Sequence, residues 1–262
     1  MNQNPYAPPA SEYIASGATA MGSPQPWDIG EVLQMGWDIT KANWPLLVTA
    51  MLISQFAPHV VAQLPTVLQV LGVLEPDPVL DGALAGGSIL IALVSNAFFL
   101  PGQLRIFLAL SRGQSAELGL LFSGADRFFP ILGLSVLTWL GTVLGMLLCF
   151  APGIILMVAW WFGQYFVVDQ ALGPIKSISA SWELTRGHRL NLFVLGLLSL
   201  LLYMSGALMC CVGSFVTLPM CFLASTVVYL RLTGQVSRDG PVAPNELAPP
   251  APGVAPGNPG PF

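Results

Sequence analysis

The stretch that decides the fold runs from residue 128 to residue 168, FFPILGLSVLTWLGTVLGMLLCFAPGIILMVAWWFGQYFVV, between Arg127 and Asp169. Its 41 residues contain no Lys, Arg, Asp or Glu. A helix rising 1.5 Å per residue needs roughly 20 residues to cross about 30 Å of hydrocarbon. The stretch therefore holds two membrane crossings, and Ala151-Pro152-Gly153 marks the tight turn between them.

The same reading extends outward in both directions. A second 41-residue gap separates Arg189 from Arg231, with a turn at Val212-Gly213-Ser214. Gaps of 33 residues from Lys41 to Glu75 and 23 from Asp81 to Arg105 supply one crossing each. The sequence thus predicts an all-α polytopic membrane protein with six transmembrane helices arranged as three hairpins. They lie near residues 44–66, 84–108, 130–150, 154–171, 190–211 and 214–231. Pro58 and Pro65 predict a kink or an outer interfacial extension in the first.

Composition agrees. Of 262 residues, 54% are apolar and 8% charged, and mean hydropathy is +0.71. A soluble domain carries about 25% charged residues, so a soluble globular enzyme is excluded. Nine Lys and Arg against 13 Asp and Glu give a net charge of −4, which excludes a nucleic-acid binder working through a basic surface. The lipid bilayer is the expected partner, with no nucleic acid.

All nine basic residues fall on one side of this arrangement. They are Lys41, Arg105, Arg112, Arg127, Lys176, Arg186, Arg189, Arg231 and Arg238, whereas Glu75, Asp77 and Asp81 mark the other side. The positive-inside rule places the basic side and both termini in the cytoplasm. Residues 1–26 have no basic leader or early apolar run and read as a disordered tail rather than a cleaved signal. Residues 27–232 form the membrane domain. Residues 233–262 form a second, Pro-rich tail, with eight prolines in the last 22 positions. Either tail could engage a membrane or cytoplasmic protein partner, and Arg238, Pro241 and Pro244 have the spacing of a basic residue ahead of a PxxP unit. A solubilising overhang explains the same composition.

Each hairpin is preceded by a short amphipathic segment on the basic side, and the three align as an internal repeat. They are Trp37-Asp-Ile-Thr-Lys-Ala-Asn-Trp-Pro45, Phe122-Ser-Gly-Ala-Asp-Arg-Phe-Phe-Pro130 and Trp182-Glu-Leu-Thr-Arg-Gly-His-Arg-Leu190. Asp28 and Glu31 have capping-box spacing in the first, with Trp27 placed to staple Val32. The second takes Ser115 as cap, with Leu118, Leu121 and Phe122 as its stripe. The third starts at Pro174, places Ile175, Ile178 and Trp182 on one face, and stops at Gly187. Such helices lie in the headgroup region. A repeat of this kind fits a pseudosymmetric transporter with a midplane site, or a well-inserting hairpin duplicated for stability.

Residues 166–188, FVVDQALGPIKSISASWELTRGH, carry Asp169, Gly173-Pro174 and Ser181-Trp-Glu-Leu-Thr-Arg-Gly187. This pattern resembles a bacterial multi-span inner-membrane family. That family occurs alone as uncharacterised proteins and as the membrane domain of glycerophosphodiester phosphodiesterases. The likeness covers roughly residues 28–232. It implies a multi-helix fold in the cytoplasmic membrane and carries over no catalytic residue.

Few side chains invite chemistry. Asp169 is expected at the interface, meeting water or pairing with Lys176 or Arg186, in a structural role or as a proton relay. Arg105 and Arg231 are expected to snorkel. His59 could sense pH or bind a ligand, or form a helix-packing hydrogen bond; His188 is expected in solvent. Gln55, Gln63, Asn96, Gln103 and Gln164 could line a path or hydrogen-bond between helices. Gly141-x-x-x-Gly145 reads as close helix packing. Trp160, Trp161, Tyr165 and Phe166 read as packing or lipid contact rather than a cofactor box. Cys149, Cys210 and Cys211 approach the acidic side, where Cys149 could bridge to either of the others; free thiols are the default, for Cys221 as well.

No catalytic, cofactor or metal site is therefore expected. A membrane enzyme would need His, Asp or Glu clustered at one depth. The expectation is a non-catalytic inner-membrane scaffold or accessory, with a transporter or channel for a small or lipid-like solute as the alternative. The alternative predicts a polar cavity lined by Gln55, Asn96 or Gln164.

Overall fold

The computed structural model describes residues 24–71, 77–148, 150–208, 213–237 and 240–241. The helices, in order, are α1 (Ile29–Ala42), α2 (Trp44–Met51), α3 (Ala57–Val70), α4 (Pro78–Ser111), α5 (Phe128–Leu148), α6 (Phe150–Ala159), α7 (Gly163–Asp169), α8 (Pro174–Leu184), α9 (Arg189–Leu208) and α10 (Ser214–Leu232). A two-residue antiparallel pairing joins Val236–Ser237 to Gly240–Pro241. Among the described residues, five segments are long and apolar enough to cross a membrane: Asp81–Ser111, Leu118–Leu148, Pro152–Asp169, Arg189–Gly206 and Ser214–Leu232.

The expected first crossing is less regular. Trp44–Gln55 is a shorter apolar helix, and a π-helical turn, Leu52–Phe56, joins α2 to α3. Pro58, two residues past its end, has no N–H to donate back to residue 54, which favours a widened turn there. The irregularity expected around Pro58 is a π turn just before it, while Pro65 lies within α3.

Local chemistry sets the ends of the other elements. The Asp28 carboxylate caps α1, accepting from the N–H groups of Gly30 at 2.9 Å and Glu31 at 3.4 Å. Asp77 caps α4 through the Val79 N–H at 2.9 Å, with Pro78 in the first turn. At 34 residues, α4 is about 51 Å long, so it projects past the hydrocarbon. Ala151, Pro152 and Gly153 do not form the turn predicted for them; they lie in the first turn of α6, where proline needs no hydrogen-bonded N–H. Gly213 precedes α10 as its N-cap residue, and Val212 lies outside the described residues.

The second amphipathic segment, Leu118–Arg127, is a 3-10 helix. Glu117 rather than Ser115 occupies its N-cap position, without a side-chain cap bond. Its three-residue period stacks Leu118, Leu121 and Gly124 on one face. Leu121 and Gly124 are buried, whereas Phe122 is 53% exposed instead of completing the stripe.

The third segment is α8, and the residue types on its two faces differ. α8 buries Ser177 and Ser181 against the protein and leaves Ile175 74% exposed. Against a bilayer the apolar face has two possible hosts, and here the small polar face packs inward. Gly187, with φ +90°, ends the segment as expected.

The core sits at the basic end. It includes residues of α1 and α2, the last third of α4, most of α7 and most of α10, with Leu121, Ile131, Leu134, Val158, Leu192 and Leu195 from the other elements. Each amphipathic segment seats on one of these helices. Gly36 of α1 lies so close to α10 that a Cβ would come 2.9 Å from the Met220 carbonyl oxygen. A Cβ on Gly102 of α4 would clash with the Leu121 backbone of the 3-10 segment. In α8, the Ser181 hydroxyl bonds to the main chain between α6 and α7. Thr233 and Gln235, past the predicted boundary of the membrane domain, are buried in the same core.

Candidate functional site

Polar groups gather at a buried junction at the basic end and along a cleft at mid-helix. The junction centres on Asp169, the last residue of α7, whose side chain is 4% exposed. One carboxylate oxygen accepts from the Arg112 guanidinium at 2.5 Å. The other accepts from the Tyr229 hydroxyl at 3.1 Å and the Gln235 amide at 2.9 Å. Arg112 also donates to the Gln235 side-chain oxygen. The ends of α4, α7 and α10 thus meet on one carboxylate. Neither Lys176 nor Arg186 pairs with Asp169; both are exposed, and the partner comes from a helix 57 residues earlier.

The two arginines expected to snorkel are held by protein instead. Arg231 is fully buried and donates to Glu31 at 2.9 Å, tying α10 to α1, while its Nε and Nη1 have no hydrogen-bond partner among the described residues. Arg105 donates to the Ser123 hydroxyl at 2.9 Å and to both oxygens of Asp126 at 2.9 and 2.7 Å, fastening the 3-10 segment to α4. Below the junction, Tyr165 and Tyr229 stack at 5.1 Å, with Phe162 and Phe166 against Tyr229. Tyr165 and Phe166 are therefore internal packing and not lipid contact.

Between α6 and α7 the helix breaks at Trp160, Trp161 and Phe162. A break leaves backbone groups without helical partners. Ser181 supplies both: its hydroxyl accepts from the Phe162 N–H at 3.1 Å and donates to the Ala159 carbonyl at 2.7 Å. Thr185, one turn later, reaches the same carbonyl at 3.5 Å. The Ser181 to Gly187 motif thus acts as a plug for a broken helix. The i, i+4 Ser/Thr pair in the sequence was a usable signal for this.

The break opens onto a cleft of about 550 Å³ bounded by α5, α6, α7, α9 and α10. Gln164, Thr138, Ser199 and Ser225 supply polar lining, and Trp139, Trp160 and Trp161 supply aromatic lining. Gln55, Asn96 and Gln103 border a second cavity of about 140 Å³, where Gln103 donates to Ser54. Gln63 borders a third of about 320 Å³, near the Gln69 to Asp81 hydrogen bond of 2.7 Å. All five polar span residues singled out in the sequence therefore reach cavities, but the structure does not unite them in one.

Gly141 and Gly145 do pack closely. A Cβ on Gly141 would lie 2.5 Å from the Trp160 ring, and one on Gly145 would lie 3.2 Å from Gly153 Cα. His188 is half-buried, its ring 6.4 Å from that of Trp27, rather than free in solvent. The His59 side chain, Glu75, Arg238, Cys149, Cys210 and Cys211 lie outside the described residues, so neither candidate disulfide is described; Cys221 is a free thiol. Among the described residues, no three of His, Cys, Asp and Glu gather in a way that would hold a metal ion.

No family model matches the chain. Uncharacterised proteins of Mycobacterium bovis and Mycobacterium tuberculosis are 36% identical over 116 residues, covering 44% of this chain and 35% of theirs. The chain thus matches only about a third of the length of these relatives. No solved structure matches.

Proposed function

We propose that the chain is a non-catalytic, multi-pass protein of the bacterial cytoplasmic membrane, acting as a scaffold or accessory to a membrane process. In this reading the segment from Trp44 to Val70 is a sixth crossing, the spans form three hairpins, and both termini are cytoplasmic. The observation that carries it is the basic end itself. Three amphipathic segments ring a buried polar junction and turn Trp37, Phe122 and Ile175 outward, 39%, 53% and 74% exposed. Apolar side chains beside a ring of basic residues suit the headgroup layer of the cytoplasmic leaflet.

The proposed threefold repeat has support in the packing. Gly36, Leu121 and Ser181 occupy the same position in the three aligned segments, and each is buried against a return helix. The second and third segments seat on the helix just before them, and the first seats on the last. The ring closes on itself.

Pull-down after in-cell crosslinking tests the role, comparing the full chain with one lacking residues 1–26 and 241–262. A specific partner is expected; recovery only with the tails makes them the docking element, and recovery without them assigns docking to the bundle. No partner in either form, with the protein still in the membrane, would overturn the scaffold reading. The transporter alternative is favoured by one observation, the broken helix beside a mid-helix cleft. Liposome flux that Gln164→Leu abolishes would establish it.

A further inference from the structure

The cleft beside the helix break has the features of a built site. Thr138 lies midway along α5, Ser199 midway along α9 and Cys221 to Ser225 midway along α10. The cleft therefore sits within the hydrocarbon zone. Its volume of about 550 Å³ falls in the range of single-ligand sites. Trp139 at its rim is 68% exposed, so entry is sideways from lipid.

Its walls are fixed by packing. Trp160 rests on Gly141, and Trp161 rests on Gly196, where a Cβ would lie 3.0 Å from the ring. Side chains at either glycine would push an indole out of place.

Its chemistry is polar without charge. Among the described residues, no Lys, Arg, Asp, Glu or His lines it. A phosphate or carboxylate head would be desolvated there with no counter-charge, whereas a hydroxyl or ester loses little once hydrogen-bonded. The Thr138 and Ser225 hydroxyls donate to the Leu134 and Cys221 carbonyls and keep lone pairs for a ligand donor.

We propose that this cleft binds one neutral single-chain amphiphile, its hydroxyl or ester head at Thr138 and Gln164 and its chain along Trp139 and Trp160. The inference needs no transport and holds for a scaffold as well as a carrier.

Tryptophan fluorescence tests it on the full chain in phosphatidylcholine nanodiscs, because three of the seven tryptophans line the cleft. The probe is a monoacylglycerol with a brominated chain, compared with lysophosphatidate bearing the same chain. Saturable quenching by the monoacylglycerol is expected, at a mole fraction about tenfold below that for lysophosphatidate, a difference of about 1.4 kcal/mol. Unbrominated monoacylglycerol should reverse it. Thr138→Phe and Ser199→Leu, which fill the cleft, should remove the saturable component while helical content stays unchanged. Non-saturable quenching, equal or stronger quenching by lysophosphatidate, or full quenching in a folded Thr138→Phe protein would overturn the proposal. If both variants fail to fold, the reversal by unbrominated lipid in the unaltered protein decides. Partner recovery by pull-down is independent of this signal, so the two readings fail separately.

Discussion

The two ends of α4 sit in different surroundings. From Leu100 to Ser111 nearly every side chain is buried, and Gly102 touches the backbone of the 3-10 segment. From Asp81 to Val94 most are exposed, and Gly82, Gly86 and Gly87 have nothing within reach of a Cβ. The same contrast runs through the molecule. At the basic end Leu104, Tyr165 and Tyr229 are fully enclosed; at the other end Val70, Val79 and Leu148 are at least 80% exposed. In a bilayer those outward chains meet lipid, so their exposure costs little. The lesson is that the basic end sets how the helices are held together, while the acidic end is shaped by its solvent.

The largest break in this contrast should come from Asp169→Ala. It removes the acceptor of the Tyr229 hydroxyl and the Gln235 amide and leaves the partly buried Arg112 guanidinium only the Gln235 side-chain oxygen. A loss of about 3 kcal/mol is expected in detergent unfolding. Gly102→Ala comes next, at about 2 kcal/mol, because its Cβ meets backbone and the 3-10 segment must move. Ser181→Ala should cost about 1–2 kcal/mol, since the Phe162 N–H loses its partner and only the longer Thr185 contact remains on Ala159. Thermal unfolding of purified protein reads all three. At the other end, Gly87→Ala should be neutral or stabilise by up to about 1 kcal/mol, as alanine favours the helix and nothing obstructs it. A Gly87→Ala loss as large as that of Gly102→Ala would erase the distinction between the two halves.

What the sequence disclosed follows the same division. Charge gaps placed the long helices because excluding charge from hydrocarbon is a property of each stretch alone. The Asp28 cap and the Gly187 stop were likewise local. Asp169 was visible as an ionisable group in an awkward place, yet its partner was not, because Arg112 and Gln235 are distant in sequence and no local pattern links them. The inward face of α8 is not legible from apolar spacing for another reason. Apolar periodicity finds the face that avoids water, and Ile175 does so by turning outward, leaving Ser177 and Ser181 for the protein. Of the five polar span residues, each reached a cavity, but which cavity depended on helix packing that periodicity does not encode.

The central claim is that one buried carboxylate joins three helices at the basic end. A double-mutant cycle on Arg112→Ala and Asp169→Ala, read by unfolding in detergent, tests it most directly. The account predicts single losses that do not add, with a coupling energy of about 2 kcal/mol. Additive losses within about 0.5 kcal/mol would contradict it, leaving the ion pair without a role in holding α4 and α7 together.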